Sequence, residues 1–283
     1  MPPRALPTQR QRRLGAEVRK MRTDAGLTAE YVAGLIGVDR AKVSNIETGA
    51  RNLSADRLRT LAAHCDLADD DYLAALIALT EQPGPRWWDE YRGRLSPGLQ
   101  DLAELEWEAK RIQTIQTVHV PGLLQTADYA RSIFASVLPR LSPLEVELRV
   151  AHRVARQQVL QRPEPPPYVG YVHEAALRMR FGGTEIMRQQ LLALCEAGDR
   201  PAVTLRVIPV ERGAFPGAGS AILFAEGAVP QLDTVQLDAA HGSVFLHAEA
   251  QLAKYRAHVT WMDESSLAPG ASQQCISGIL RDL

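Results

Sequence analysis

Cysteine is scarce in this chain of 283 residues: Cys65, Cys195 and Cys275 are far apart and odd in number. That pattern excludes a disulfide framework, and no Cys-x-x-Cys pair offers metal-ligand spacing. The three read as buried or incidental thiols. Lysine is nearly as rare, with Lys20, Lys42, Lys110 and Lys254 set against abundant arginine and alanine. This bias fits a GC-rich genome better than any chemistry. No apolar run approaches the length of a membrane-spanning helix, so no membrane partner is expected. The opening segment MPPRALPTQRQRRLG has no apolar signal core, which points to a cytoplasmic protein.

Catalytic motifs are also incomplete. His173-Glu174 begins like the zinc-protease HExxH, but Leu177 stands where the second histidine belongs. Gly217-Ala218-Gly219-Ser220 is glycine-rich yet matches neither the GxGxxG phosphate fingerprint nor the GxSxG nucleophile elbow. Residues 213–219 read as a flexible loop between strands. His241 and His247 have no carboxylate or cysteine ligand set near them in sequence, and read as surface or satisfied histidines. Asp69-Asp70-Asp71 reads as a helix start complementing the helix dipole rather than a metal cluster. No enzyme, cofactor or metal is expected.

What is present is ordinary globular composition, 46% hydrophobic and 23% charged, at a length that suits two domains. The net charge of −1 conceals an asymmetry. Residues 1–60 hold twelve basic and six acidic side chains, a surplus of about +6 that leaves about −7 for the remainder. A basic head on an acidic body is the electrostatic footprint of a DNA reader. Arg10 to Arg13 would be either an arm touching the DNA backbone or a solvated, disordered N-terminus.

Residues 27–53, LTAEYVAGLIGVDRAKVSNIETGARNL, read as two short helices joined by a tight turn. Thr28 is the N-cap of the first; Val32, Ala33, Leu35 and Ile36 give it an apolar face, and Gly37 stops it. Asp39 caps a second helix from Arg40 to Thr48, which Gly49 ends. Val43 and Ile46 point inward, leaving Arg40, Ala41, Lys42, Ser44 and Asn45 on or near the outer face. This is the pattern of a helix-turn-helix, whose second helix reads base edges. Arginine suits guanine O6/N7 and asparagine suits adenine N6/N7. Arg51 and Asn52 sit where phosphate contacts set the register. An amphipathic helix at 14–25 precedes the pair, and Ser54 caps a following one. With a last helix at 68–80, five helices make an all-α domain.

The stretch LGAEVRKMRTDAGLT…VAGLIGV…VSNIETGARNLSADRLRTLA resembles the phage-repressor-like (XRE, or Cro/C1-type) helix-turn-helix family over residues 14–67. The resemblance implies base-facing roles for Arg40, Ala41, Ser44 and Asn45. It implies a structural glutamate at Glu47 in Ile46-Glu47-Thr48-Gly49. One departure is Ala29, where the family often has a phosphate-contacting Gln; that contact is lost or passes to Thr28.

Glu81-Gln82-Pro83-Gly84-Pro85 is the expected boundary, giving a DNA-binding domain at 1–81 and a regulatory or interaction domain at 86–283. Trp87, Trp88 and Tyr91 form the densest aromatic cluster, read either as a hydrophobic plug or as a ligand or partner site. The spacing predicts a helix over 99–117, with Glu106 partly buried and needing a partner. Further helices are expected at 123–138 and from Ser142-Pro143 onward, the latter with Leu144, Leu148, Ala151, Ala155 and Val159 in step. Residues 86–162 are thus expected to be helical, and 163–167 a stiff proline spacer. Residues 168–283 read as α+β with a mixed sheet: strands at 168–172, 203–208, 221–224, 235–237 and 244–246, and helices at 184–197, 248–262 and 272–282.

WWDEYRG…LEWEAKRIQTIQTVHVPGLLQTADYAR and EAALRMRFGGTEIMRQQLLAL…PAVTLRVIPV…GAFPGAGSAILF resemble the domain that follows the helix-turn-helix in many actinomycete regulators, the WhiJ-like, antitoxin-like class. That class is often encoded beside very small partner proteins. The expectation is a transcriptional regulator, a homodimer on double-stranded DNA with a palindromic operator. The alternatives are an antitoxin-like protein holding a small protein encoded nearby, and a small-molecule-sensing regulator.

Overall fold

The computed structural model describes residues 6–81, 84–217, 219–239 and 242–283. The chain separates into two compact units, Met1–Arg86 and Trp87–Leu283. Gln82 and Pro83 of the expected boundary, and Ala218 and His241, lie outside the described residues.

The first unit is five helices: α1 (Gln9–Asp24), α2 (Ala29–Leu35), α3 (Arg40–Glu47), α4 (Ala55–His64) and α5 (Asp70–Thr80). Local chemistry sets their starts. Thr8, Thr28, Asp39 and Asp69 each accept a backbone N–H at their helix N-terminus, and Ser54 occupies the same position of α4 without a side-chain bond. Asp70 and Asp71 follow the Asp69 cap in the first turn of α5, where negative charge suits the helix dipole. Leu14, Val18, Val32, Val43, Ile46, Leu58, Leu61 and Leu76 form the buried interior.

One expectation fails here. Arg10 to Arg13 are neither an arm nor solvated coil; they lie inside α1. The reason is a capping box, in which Thr8 accepts from the Gln11 backbone while the Gln11 side chain caps Thr8, so the helix begins well before Leu14. Arg13 is buried and pairs with Glu17 at 3.1 Å, and Glu17 accepts the hydroxyl of Tyr72 on α5. Arg10 donates to the Ala78 carbonyl on the same helix.

The second unit contains α6 (Pro97–Glu108), β1 (Arg111–Gln116), α7 (Ala127–Ala135), α8 (Pro143–Arg156), β2 (Tyr168–His173), α9 (Glu174–Arg178) and α10 (Thr184–Gly198). It continues with β3 (Val203–Ile208), β4 (Ile222–Glu226), β5 (Thr234–Ala239), β6 (Gly242–Leu246), α11 (Glu249–Ser265) and α12 (Pro269–Arg281). Among the described residues the strands form one sheet in the order β3-β2-β1-β4-β5-β6. β1, β2 and β3 are parallel, whereas β4, β5 and β6 join antiparallel, so the sheet is mixed. One face packs Ile112, Tyr168, Leu205 and Leu223 with Met187 and Leu191 of α10 and Ile276 of α12. The other packs Ile115, Tyr171, Phe224 and Val235 with Leu252 and Met262 of α11. Both faces are therefore covered. The fold is an all-α five-helix domain followed by helices and an α+β mixed sheet.

The helix expected over 99–117 ends at Glu108, and 111–116 is instead a central strand. Residues 86–162 are thus helical apart from that strand. Ile112, Thr114 and Ile115 are β-branched and favour a pleated surface. Because β1 is buried on both faces, residues 112–115 show no alternation to betray it. The helix expected over 123–138 is a single 3₁₀ turn, Gly122–Leu124, followed by α7, which Thr126 caps. On α8 the buried residues are Val146, Val150, His152 and Arg156, while Leu144 is 68% exposed and Ala151 is exposed. Of the apolar stripe read from the sequence, Leu144 and Ala151 thus face outward, Leu148 and Ala155 are half-buried, and Val159, just beyond α8, is buried.

Candidate nucleic-acid interface

The interface is built on how α1 grips α3. A Cβ on Gly15 would lie 2.5 Å from the Ile46 carbonyl oxygen, so only glycine lets the two helices approach this closely. Gly49, at φ +77°, turns the chain directly after α3, and a Cβ there would meet the Arg12 backbone nitrogen at 2.7 Å. Arg22 on α1 then braces the end of α3: its Nε donates to Glu47 Oε1 at 2.5 Å, its Nη2 to Oε2 at 3.2 Å, and its Nη1 to the Leu27 carbonyl at 2.9 Å. The Arg22 pKa is raised, chiefly by its hydrogen bond to Glu47. A fork of this geometry resists rotation of α3 about its own axis.

With Val43 and Ile46 locked inward, the opposite side of α3 faces water. Arg40, Ala41 and Ser44 are exposed; Lys42 and Asn45 are half-exposed. Thr28 is exposed at the start of α2, its hydroxyl accepting the Tyr31 backbone N–H at 3.1 Å. Arg51 and Asn52 are exposed just beyond α3. Lys42 forms an ion pair with Asp39 at 2.6 Å, and that hydrogen bond is the first cause of a lowered Asp39 pKa. Both side chains are well exposed, so the pair contributes little and leaves the lysine available. Asn52 accepts from Gln11 Nε2 at 3.1 Å, and the Arg51 backbone N–H bonds to the Asn45 carbonyl at 3.0 Å. Sequence reading missed Gly15, Arg22 and the exposed ring of Tyr31 on α2. The Ile-Glu-x-Gly signature singled out Glu47 but not the arginine that holds it.

Trp87, Trp88 and Tyr91 lie together in a 3₁₀ turn. Trp88 and Tyr91 are buried, and the turn packs on Trp107 of α6 and His152 of α8. Trp88 meets Trp107 edge-on at 6.0 Å, and Tyr91 meets His152 edge-on at 5.0 Å. Trp87 is half-buried, 5.5 Å from the His152 ring. Two of the three rings are thus consumed by packing. His173 caps α9 and Glu174 pairs with Arg178 at 2.7 Å, so neither stands as a zinc-protease pair. His247 is half-buried.

A polar helix outer face, a locked inner face and exposed polar groups at both ends are the features of a helix-turn-helix DNA-binding protein. A family model described as "Helix-turn-helix domain" matches residues 13–76, in agreement. A second model, described as "Domain of unknown function (DUF5753)", matches residues 99–278. That match spans more than half of the chain, and the protein belongs to this family. No curated protein and no solved structure matches the chain. Among the described residues no helix is long and apolar enough to cross a membrane.

Proposed function

We propose that the protein is a sequence-specific transcriptional regulator that binds a palindromic operator as a homodimer. Residues 1–81 act as the DNA-binding domain and 86–283 as the regulatory and interaction domain. Arg40, Ala41, Lys42, Ser44 and Asn45 address base edges; Thr28, Arg51 and Asn52 address phosphates. The observation that carries this reading is the fixed rotation of α3, which the Arg22–Glu47 fork and the Gly15 contact hold with its polar side outward. Selection of bound sequences from a random pool tests it. Arg40→Ala should lose about 1–3 kcal/mol of discrimination at one base position. Arg51→Ala should weaken all sequences alike and reduce the salt slope by about one. An Arg40→Ala protein that selects the same site with unchanged preference overturns the register.

Dimerisation draws support from α8. Leu144 and Val154 are exposed on its outer side with Ala151 between them, and Leu148 and Ala155 are half-buried beside that line. Two copies paired antiparallel set Leu144 against Ala155 and Leu148 against Ala151, large against small. An antitoxin-like reading, in which a small partner protein covers the same surface, is distinguished by the mass of the purified protein. A dimer in isolation favours the first; a monomer that dimerises only with a co-expressed neighbour favours the second.

A further inference from the structure

β1, β2 and β3 are parallel, and β5 runs the same way because both it and β1 are antiparallel to β4. Their carboxyl ends therefore lie along one edge of the sheet. The strand order reverses at β1, with β2 and β3 added on one side and β4 to β6 on the other, and open sheets bind ligands outside carboxyl ends where the order reverses. The segment leaving β1 carries His119, then the turn Gly122–Leu124 and Gln125.

Side-chain amides fix this segment, those of Gln125 and Gln190 buried and that of Gln157 half-buried. Gln125 Nε2 donates to the Val120 carbonyl at 2.7 Å, Gln157 Nε2 to the Gln125 carbonyl at 2.6 Å, and Gln190 Nε2 to the Leu124 carbonyl at 2.8 Å. Into the resulting frame α8 sends Arg153. Its Nη1 donates to Gln125 Oε1 at 2.6 Å, and its guanidinium lies 5.0 Å from the centre of the Phe134 ring. A Cβ on Gly122 would stand 3.1 Å from that Nη1, so the glycine leaves the guanidinium its room.

The neighbouring arginines have anions. Arg156 is bidentate with Glu106, and Arg131 pairs with Glu147 at 2.7 Å. Arg153 has no carboxylate within ion-pair distance among the described residues, and its Nε and Nη2 make no hydrogen bond there. Yet it is half-buried rather than sealed, so those groups can be reached. Burial, and then the charge of Arg156, lower its pKa to about 10. The His119 ring lies 4.7 Å from that of Phe181, tilted by 45°, and burial followed by the Arg153 charge lowers the His119 pKa. Asp238, exposed near the end of β5, attracts both cationic forms from beyond ion-pair distance and accepts a bond from Gln236 at 2.7 Å.

We propose that Arg153 anchors a binding site for a small organic acid at this sheet edge. The free Nε and Nη2 face the carboxylate, and His119 with the rings of Phe134 and Phe181 borders its apolar body. A carboxylate matches an arginine fork in both charge and spacing. The reading needs nothing from the DNA-binding face and is tested without DNA.

Benzoate is the probe and benzamide its uncharged counterpart, each titrated against the full chain and followed by calorimetry. Benzoate should bind in the millimolar range or tighter, with benzamide about tenfold weaker or absent. Arg153→Gln should lose benzoate binding. Asp238→Asn, at an exposed position, should tighten it, because a competing negative charge has gone; this arm does not depend on how Arg153→Gln folds. Equal binding of benzoate and benzamide, retention by a folded Arg153→Gln protein, an unmoved affinity in Asp238→Asn, or no benzoate binding at all overturns the proposal.

Discussion

α3 and α8 are both amphipathic helices with a capped N-terminus, and they turn their apolar sides in opposite directions. α3 buries Val43 and Ile46 and shows water its arginine, serine and asparagine. α8 buries His152 and Arg156 beside Val146 and Val150, and shows water Leu144 and Val154. The difference lies in what each helix meets. α3 packs on α1 and α2, whose facing residues are mostly apolar or glycine, so the hydrophobic effect orients it and the half-buried fork of Arg22 on Glu47 only fixes that orientation. α8 meets Glu106, a carboxylate 1% exposed, which cannot stay ionised in the interior without a partner. Arg156 supplies that partner through two bonds, at 2.8 and 2.5 Å. One buried charge therefore dictates which face of α8 turns inward, against the preference of its leucines.

Removing that charge should have the largest effect. Glu106→Gln leaves Arg156 buried and uncompensated, and should destabilise the second unit by about 3–5 kcal/mol. Glu106→Leu combined with Arg156→Met should recover most of that loss, because the desolvation of both ions goes with them. Chemical denaturation of the three proteins reads this directly. A double variant no more stable than the single one would mean that shape, not charge, orients α8. On the α3 side the matching change is Ile46→Ala, which removes apolar contact at a site 3% exposed and should cost the first unit about 2–5 kcal/mol.

Much of this contrast was legible before the fold was known, and the illegible part has a physical pattern. Caps and stops are local events, so Thr28, Asp39, Ser142 and Gly49 announced themselves by residue type and position. The strands β2 to β6 and the helices α10 to α12 followed from β-branched runs and helical periods. Glu106, in an otherwise apolar helical stripe, reads from the sequence as an acid in need of a partner. What escaped were facts that live between elements. β1 escaped because a strand buried on both faces lacks alternation and mimics a continuing helix. Gly15 escaped because a close helix approach has no signature in the sequence of one helix. The Arg13–Glu17–Tyr72 contacts and the inward face of α8 escaped for a related reason. Charged residues normally read as solvent-facing, and only their partners reverse that. In the interface, the outward residues of α3 were readable from spacing, while the Arg22 brace that fixes their direction was not.

The buried histidine of α8 extends the comparison to pH. His152 is held near a pKa of about 3, first by burial and then by the charges of Arg156 and Arg153. Unfolded, it would titrate at about 6.5. Below that value the unfolded chain takes up a proton that the folded one refuses, so stability falls with falling pH until about pH 3. The slope from this one group approaches about 1.4 kcal/mol per pH unit. Thermal unfolding between pH 7 and pH 5, above most carboxylate titrations, should show the second unit losing stability. His152→Gln should flatten that dependence. A slope identical in the variant would place the acid sensitivity elsewhere, on His119 or His258, whose pKa values burial also lowers.

The smallest expected effect is the most discriminating one. Leu144 is a leucine in a helical stripe, as Ile46 is an isoleucine in one, and a reading by periodicity alone assigns them equal weight. With Leu144 68% exposed, Leu144→Ala should change the unfolding free energy by no more than about 0.5 kcal/mol. The measurement belongs at concentrations low enough that association contributes nothing. At higher concentration the same change should weaken self-association, if α8 pairs with a second copy through Leu144 and Ala155. A cost comparable to that of Ile46→Ala in dilute solution would mean that α8 faces its leucines inward after all, and the orienting role of Glu106 would fall with it.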